Sequence, residues 1–407
     1  MTATVAAPAE TDSAWLRRAG EVKARLRATA PARDRAGQLP VEEVGWLKEA
    51  RLLGIFIPER FGGGGATWTQ VAEVVERIAQ ADASLAHVLL YHYFGSQAGL
   101  RGENGFVGAD RARRIAAEQL LHGTVAQAAY PPLVVATQTA DGFRLNGRKS
   151  FTTGAALGDV LLTWVQFDEG TVLGGVDVSG TLGTIHLDRG APGLSFEDDW
   201  DNLGQRRTAS GTTVFTDVPV RTADVIAYDV ADSVRPDQLD VLYMYSGFAA
   251  IFTGIAAGAL EEAGDYIRTK GRPWVETDHR SAGEDPLLLE RYGQSWIEVQ
   301  SAQALTRRAV EAVEAARVRG AELTWPQRAE AVTLTNAARV HAANVALSVT
   351  SGIFEVAGAR ASRLEHGLDR FWRDARTLSL HDPLRNKLVQ IGDYALNGTA
   401  PTPGFYS

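Results

Sequence analysis

The residues of this chain best suited to acid–base chemistry are His381 and Asp382, which stand side by side immediately before Pro383. Proline restricts the preceding residue to extended geometry and lacks an N–H group, so the basic, helix-compatible run that begins at Arg373 is predicted to end near Asp382. His381 would then lie at the carboxyl end of a helix, where the helix dipole and the neighbouring carboxylate both favour a protonated imidazole. The pair indicates a hydrogen-bond donor for a reaction, but by itself it is equally compatible with a helix cap.

The composition is that of an ordinary globular protein with room for more than one domain. The 407 residues are 45% hydrophobic and 22% charged, with a formal net charge of -8. No basic stretch is dense enough for a nucleic-acid or membrane surface, so small molecules and copies of the same chain are the expected partners. The absence of cysteine excludes disulfides and thiolate chemistry, and the eight histidines lack metal-binding spacing. Without a signal-peptide pattern, the expected location is the cytoplasm.

Hydrophobic periodicity divides the chain into three parts, which we place at 1–123, 124–236 and 237–407. The first part has helical spacing, and the second has short strand-like runs separated by turn signals such as Asp141-Gly142 and Asn146-Gly147. Helical spacing returns after Gln238, and the apolar run from Gly247 to Leu260 is too short to cross a bilayer, which favours a buried core helix. The sequence therefore predicts an α+β protein in which a β domain separates two helical domains.

Four segments, in this order and spacing, make the chain resemble the acyl-CoA dehydrogenase superfamily over nearly its whole length. The resemblance implies an N-terminal helical domain, a middle β-barrel-like domain, a C-terminal four-helix bundle and a flavin bound between the last two. It also implies a homotetramer, because the bundles of this family pack against each other. The segments are G-I-F-I-P-E-R-F-G-G-G-G at 54–65, G-R-K-S-F-T-T-G-A at 147–155, D-N-L-G-Q-R-R-T-A-S-G-T-T-V-F-T-D-V-P-V at 201–220 and R-D-A-R at 373–376.

The S-L-H-D-P ending resembles the monooxygenase branch of this superfamily, which is similar to dibenzothiophene monooxygenase and the indole hydroxylases. That branch implies a two-component enzyme that receives reduced FAD or FMN from an NAD(P)H-dependent reductase. O₂ adds at flavin C4a, and the hydroperoxide oxygenates an aromatic heterocycle of indole, carbazole or thiophene type. Three alternatives stay open: an acyl-CoA dehydrogenase with Asp382 as its base, an amino-sugar N-oxygenase, and a non-catalytic helical oligomeric binding protein.

The same resemblance suggests roles for individual side chains around the reacting centre. His381 would donate to the peroxide, Thr153 would lie near flavin N5 with Thr152 beside it, and His92 would face the substrate pocket. Threonines are also common in strands, and His92 shares an apolar stripe with Leu85 and Val88, so it could equally be a core histidine.

Further residues are candidates for holding the flavin. Gln127 occupies the strand that meets the flavin ring in relatives, although a glutamine in a strand is just as often a surface residue. Arg272, Arg370 and Arg373 could bind the phosphate, unless they are ordinary helix arginines. Gly358 is the residue that plainly survives from a family segment that contacts the adenine end across a subunit interface. The departure of that segment from the family pattern leaves FMN and transient FADH₂ both open.

Overall fold

The computed structural model describes residues 13–98, 100, 105–126, 133–228 and 235–404. The chain begins with a helical domain, as predicted. Thr67 and Gln70 form a reciprocal capping box that fixes the start of its third helix. The helices are α1 (Ala14–Ala36), α2 (Val41–Glu49), α3 (Trp68–Ala79), α4 (Ala83–Ala98) and α5 (Gly105–Glu118).

The middle of the chain forms a mixed sheet in the strand order β10-β7-β4-β2-β3-β9-β8, with β1 parallel to β4. The predicted hairpin between β2 and β3 is present, with its turn at Ala140 and Asp141 and with Gly142 as the first residue of β3. Asn146 and Gly147 do not form a turn, because they lie inside β3 where a bulge shifts its register against β9. The strands are β1 (His122–Val125), β2 (Val135–Thr139), β3 (Gly142–Lys149), β4 (Val160–Phe167), β5 (Val172–Leu173), β6 (Val176–Asp177), β7 (Leu182–Asp188), β8 (Leu194–Phe196), β9 (Thr213–Val220) and β10 (Val225–Tyr228).

The C-terminal part is helical again, and its first helix is the predicted core helix. The most apolar 18-residue stretch of that helix is 89% buried inside the protein, so burial in the core accounts for its hydrophobic composition. Along the second helix of this part, Val299, Ala302, Ala309 and Val313 are buried at helical spacing, whereas Trp296 is 54% exposed. The helices are α6 (Asp240–Lys270), α7 (Pro286–Arg319), α8 (Trp325–Ala357), α9 (Asp369–Leu378) and α10 (Leu384–Asn397). The predicted α+β class is confirmed.

Close packing of α4 against α6 brings the N-terminal domain to the bundle. A Cβ atom built on Gly247 of α6 would lie 2.2 Å from Cδ1 of Leu90 on α4, so the small residue permits the approach. The aromatic side chains Tyr91 of α4 and Phe248 of α6 pack together as a result, with ring centroids 6.3 Å apart. This contact forms one wall of the site described next.

Candidate active site

His381 lies in a turn between two helices and not at the end of a helix. The α9 helix ends at Leu378, whose carbonyl accepts a hydrogen bond of 3.1 Å from the His381 N–H. Pro383 immediately precedes the first turn of α10, a position where its fixed φ suits a helix start. The prediction that the helix continues to Asp382 is therefore wrong, since Pro383 starts the next helix instead of stopping the previous one.

Asp382 is a buried carboxylate held by a bidentate ion pair. Its Oδ1 lies 2.5 Å from Nη2 of Arg339, and its Oδ2 accepts hydrogen bonds of 3.0 Å from both Nη1 of Arg339 and the hydroxyl of Tyr245. Burial alone would raise the pKa of Asp382, but hydrogen bonds from His381 and Arg339 outweigh it and hold that pKa well below its usual range. A carboxylate stabilised in this way is a poor base, so the geometry favours an orienting role and argues against an acyl-CoA dehydrogenase base.

The ionised Asp382 determines which ring nitrogen of His381 carries a hydrogen. Nδ1 lies 3.0 Å from Asp382 Oδ1, and because an ionised carboxylate only accepts hydrogen bonds, Nδ1 must be the donor. Nε2 lies 3.1 Å from the hydroxyl oxygen of Tyr91, and the ring packs edge-on against Phe248. Neutral His381 accepts from Tyr91, whereas protonated His381 donates to it. A proton can thus pass between these two side chains without rearrangement.

A second buried cation, Lys387, lies beside this carboxylate. Its ammonium group is 4.9 Å from the ring centroid of Tyr245, and the Arg339 guanidinium is 4.1 Å from the same ring. Burial lowers the pKa of Lys387 to about 8, although the charge of Asp382 acts in the opposite direction. The two cations together stabilise Asp382 in its ionised form.

The histidine of α4 that reaches this cluster is His87, which the sequence analysis did not select. Its ring packs at 5.0 Å from Tyr91 and 5.4 Å from Phe248, the same aromatic residues that contact His381. It lies one helical turn before Tyr91, so the two side chains share a face. This i, i+4 relation is the one signal in the sequence that could have identified it.

His92, in contrast, faces the protein core. Its Nε2 lies 2.7 Å from the carbonyl oxygen of Leu53, its Nδ1 accepts from the His122 N–H at 3.0 Å, and it has no exposed surface. Burial is the main reason that its pKa falls to about 4. Both ring nitrogens are occupied by the backbone, so the structure supports the alternative of a core histidine and does not place His92 in the substrate pocket.

Thr153 ends a chain of hydroxyl groups whose hydrogen-bond direction is determined at the other end. The Thr208 hydroxyl donates to the carbonyl oxygen of Gln205 at 3.0 Å and lies 2.7 Å from the Ser210 hydroxyl, which lies 2.9 Å from that of Thr153. Each hydroxyl has a single hydrogen, so Ser210 must donate to Thr208 and Thr153 to Ser210. Thr153 consequently presents only lone pairs to any further partner, which makes it an acceptor.

Thr152 is tied into the sheet next to this chain. Its hydroxyl donates to the Gly211 carbonyl at 2.7 Å and lies 2.8 Å from the Thr213 hydroxyl. The preceding residue, Phe151, adopts a left-handed conformation with φ 58 and is 64% exposed, packing edge-on against Trp200. Thr152 is therefore an anchor for the segment, whereas Phe151 offers an apolar face to solvent.

Two of the three predicted phosphate-binding arginines form ion pairs with carboxylates. Arg370 contacts Glu262 at 2.5 Å, and Arg373 is paired with both Asp34 and Asp369. Burial would lower the pKa of Arg373, but the two carboxylates outweigh it and raise that pKa. Because carboxylates already pair with both guanidinium groups, these contacts do not favour phosphate binding by Arg370 or Arg373, and their role as phosphate ligands stays a prediction.

The remaining predicted residues are scattered. Arg272 lies in the loop after α6, is exposed, and forms no ion pair with any described residue. Gly358 ends α8 with φ 76, a conformation that favours glycine. Gln127 lies outside the described residues. Neither Arg272 nor Gly358 lies among the residues around His381, so the roles predicted for them stay predictions.

The described residues provide groups that suit a reduced flavin. The N5 atom of reduced flavin carries a hydrogen, and Thr153 is oriented as an acceptor for such a donor. Nε2 of His87 is buried and has no hydrogen-bond partner, so it leaves one more acceptor available to a bound molecule. The exposed Phe151 offers apolar contact for a ring. This set of acceptors and apolar surface fits the cofactor.

Comparison with known proteins identifies the family. The acyl-CoA dehydrogenase family models match in chain order: the N-terminal domain at 18–98, the middle domain at 125–218 and the C-terminal domain at 246–385. The chain therefore belongs to the acyl-CoA dehydrogenase family.

Named relatives define the branch of the family. The chain is 35% identical to dibenzothiophene monooxygenase of Mycolicibacterium goodii, over 96% of this chain and 95% of that protein. It is similar to methanesulfinate monooxygenase MsuC of Pseudomonas fluorescens, with 31% identity, a TM-score of 0.90 and coverage of 99% and 100%. It also resembles TdsC of Paenibacillus sp. A11-2 in complex with FMN and indole, with 32% identity, a TM-score of 0.89 and coverage of 97% and 99%. The chain is a flavin-dependent monooxygenase that uses reduced flavin.

Proposed function

We propose that this monooxygenase receives its reduced flavin from a separate NAD(P)H-dependent reductase and oxygenates an aromatic heterocycle of indole, carbazole or thiophene type. The observation that carries the proposal is the hydrogen-bonded series Tyr91, His381 and Asp382, placed against the aromatic ring of Phe248. The relatives support a ring substrate, since one is named for dibenzothiophene and another was solved with indole.

Reduced flavin, when bound, supplies the electrons that split O₂, so that one oxygen atom enters the substrate and the other leaves as water. The departing oxygen needs a proton. Tyr91 and His381 are arranged to deliver one, because a proton on His381 Nε2 points at the Tyr91 oxygen and the Tyr91 hydroxyl can pass its own hydrogen onward. Asp382 and Arg339 keep the imidazole in one orientation. General acid assistance of this kind contributes about 10² to 10⁴ in rate.

The flavin is proposed to be held by residues of two kinds. Thr153 would accept the N5 hydrogen, and its orientation by Ser210 disfavours oxidised flavin, whose N5 is itself an acceptor. Arg272 is the cation best suited to the phosphate, since Arg370 and Arg373 are paired with carboxylates. Gly358 and Gln127 are further candidates, in the case of Gly358 from a neighbouring subunit.

The lining of the site favours a flat apolar substrate over a sugar. The rings of Tyr91 and Phe248 pack beside His381, and Phe94 packs on Tyr91 with ring centroids 6.2 Å apart. Aromatic rings bind other aromatic rings through offset or edge-to-face contacts. An amino-sugar would instead need several polar groups for its hydroxyls, and the buried side-chain polar groups described around His381 are already paired, apart from His87 Nε2 and Arg339 Nε.

The proposal also includes assembly of identical chains in the cytoplasm. Leu388, Val389 and Leu396 are exposed on α10, and Trp296 and Ile297 are exposed on α7. Apolar side chains at this density on two helices favour burial against another copy. We expect a homotetramer by light scattering at micromolar concentration, and a stable monomer would contradict this part of the proposal.

The activity is tested with the full chain, a purified NAD(P)H-dependent flavin reductase, FMN or FAD, and either indole or dibenzothiophene under ¹⁸O₂. We expect a product that carries one labelled oxygen atom, and no NADH oxidation by the chain without the reductase. NADH oxidation by the chain alone would contradict the two-component assignment. Failure to oxygenate either ring, while reduced flavin is still bound and reoxidised, would reject the aromatic substrate class.

A further inference from the structure

Gln205 is held rigidly by the backbone and side chains of α9. Its N–H donates to Oδ1 of Asp374 at 2.6 Å, and the N–H of Gly204 donates to Oγ1 of Thr377 at 2.9 Å. A Cβ atom on Gly204 would lie 2.0 Å from the Arg373 carbonyl oxygen, so the loop can lie this close to the helix only with glycine there. Gln205 itself has φ 55, an unusual conformation for a residue with a side chain.

The carbonyl group of Gln205 is fixed as well. It accepts hydrogen bonds from Nε1 of Trp200 at 2.8 Å and from the hydroxyl of Thr208 at 3.0 Å. The residue is also buried, with 1% of its surface exposed. With both backbone polar groups bonded in a buried segment, the direction in which the side chain leaves the loop is determined.

The contacts of the side chain decide which way round its amide lies. The Nε2 atom points at the carbonyl oxygen of Asp374 at 3.5 Å, and Oε1 lies 3.1 Å from Nδ1 of His87. The opposite orientation would place two acceptor oxygens against each other at Asp374. The amide oxygen therefore faces His87, and His87 must supply the hydrogen of this bond from Nδ1.

We propose that Gln205 is a positioning residue that holds His87 in the tautomer with hydrogen on Nδ1, so that Nε2 presents a buried acceptor in the active site. The His87 side chain is buried, with 7% of its surface exposed, and its Nε2 has no hydrogen-bond partner. A buried acceptor left unpaired is destabilising, so a bound molecule that donates an N–H or O–H group there gains that interaction.

The two histidines of the site thus have opposite roles. His381 can carry a proton toward Tyr91, because Asp382 lies at its other nitrogen. His87 has a neutral amide at the corresponding position, and burial together with the charge of His381 lowers the pKa of His87 to about 3. His87 stays neutral near pH 7 and acts as an acceptor. The role of His87 as an acceptor in the reaction rests on the proposed function, whereas the assignment of its tautomer does not.

The tautomer is measured directly by ¹⁵N NMR of the full-length protein with labelled histidine, without flavin or substrate. A His87→Gln variant assigns the resonance. We expect a protonated Nδ1 and an unprotonated Nε2, unchanged between pH 8 and pH 6. Gln205→Met, which is similar in size but lacks the amide oxygen, should release His87 into a mixture of tautomers. Gln205→Glu, which retains an acceptor, should preserve the Nδ1–H form.

Activity then tests whether the tautomer matters. With reductase and reduced flavin, Gln205→Met should lose roughly 10- to 100-fold in kcat/KM, as is typical for partners that orient a histidine, and Gln205→Glu should recover part of that loss. A wild-type His87 with hydrogen on Nε2, an unchanged tautomer in Gln205→Met, or full activity of that variant would each overturn the proposal. If the wild-type protein oxygenates no substrate, the NMR result still decides the tautomer, so the two failures are distinguishable. Thermal unfolding of both variants controls for loss of the fold.

Discussion

Tyr91 and His381 meet through a hydrogen bond of 3.1 Å between the phenolic oxygen and Nε2, although 290 positions separate them in the chain. Tyr91 is presented by α4 of the N-terminal domain, and His381 by the turn that joins α9 to α10. The packing of α4 on α6 places Tyr91 against Phe248, and the ring of Phe248 also contacts His381. The contact links two domains at the point where the reaction is proposed to occur.

We expect His381→Ala to lower product formation by about 10² to 10⁴ while flavin binding is retained, because its proposed role is to deliver a proton. Tyr91→Phe should lower the rate in the same direction, and the double variant should be little worse than the more damaging single one. The measurement is product per reduced flavin supplied, with fluorescence titration for flavin affinity. His279→Ala is the control, since that residue lies in the loop between α6 and α7. Wild-type product formation by His381→Ala would leave His381 as a structural turn residue.

Removing one partner of the buried pair between Arg339 and Asp382 should destabilise the fold strongly. Their side chains are 0% and 8% exposed, so Arg339→Met leaves the carboxylate buried beside fewer partners and should cost about 3–5 kcal/mol in the free energy of unfolding. Urea denaturation measures the change. Arg280→Met, which removes an exposed ion pair with Glu284, should change the same quantity by about 1 kcal/mol or less. Equal effects of the two variants would show that the buried pair is not structurally important.

Asp374→Asn should remove a pH dependence from stability. Burial, with added repulsion from Asp34 and Asp82, raises the pKa of Asp374 from 3.8 to about 7. A raised carboxyl pKa means that stability present in acid is lost as pH rises from about 4 to about 7, since only the unfolded chain ionises freely there. We expect the asparagine variant to gain stability relative to wild type as pH rises to 8. Its melting temperature between pH 5 and pH 8 is the measurement, and a parallel pH profile for both proteins would contradict the expectation.

His122 and His186 should make the protein less stable in mild acid. Both rings are buried, their centroids are 5.2 Å apart, and none of their ring nitrogens has a hydrogen-bond partner. Burial lowers both pKa values well below 6.5, with further lowering of the pKa of His122 by the charge of His186. Below pH 6.5 the unfolded chain binds protons that the folded chain does not, so stability falls as pH falls.

This effect opposes that of Asp374 over the same pH range, so variants are needed to separate the two. His186→Met should flatten the decline in melting temperature between pH 7 and pH 5, whereas Asp374→Asn should steepen it. A decline that is the same in His186→Met as in wild type would exclude His186 as its cause.

Ser210→Ala should weaken the preference of the site for reduced flavin. Without Ser210, the Thr153 hydroxyl is free to rotate and can donate to oxidised flavin as well as accept from the reduced form. We expect the ratio of the dissociation constants for oxidised and reduced flavin to change by up to about tenfold, which is the equivalent of one hydrogen bond. Anaerobic titration with both flavin states measures it. Thr153→Ala is the matched variant, and it should also release more hydrogen peroxide per NADH consumed. An unchanged ratio in both variants would place the flavin away from Thr153.

The sequence by itself determined the order of helical, β and helical domains, the family resemblance, and the choice of His381 and Thr153 as candidate site residues. These conclusions depend on local periodicity and on short motifs, which can be read from the sequence without knowledge of tertiary contacts. The core helix around Gly247 to Leu260 could be predicted for the same reason, since its apolar length has no other explanation in a protein of this composition.

Only the tertiary structure decided between His87 and His92. Every residue of α4 from 83 to 96 is buried, so the helix carries no amphipathic pattern that could reveal which face meets the candidate active site. Arg370 and Arg373 are a second case, because the carboxylates that neutralise them include Glu262 and Asp34 from distant helices. The direction of the hydrogen bonds at His87 and Thr153 is a third, since it follows from partners that the fold alone brings into contact.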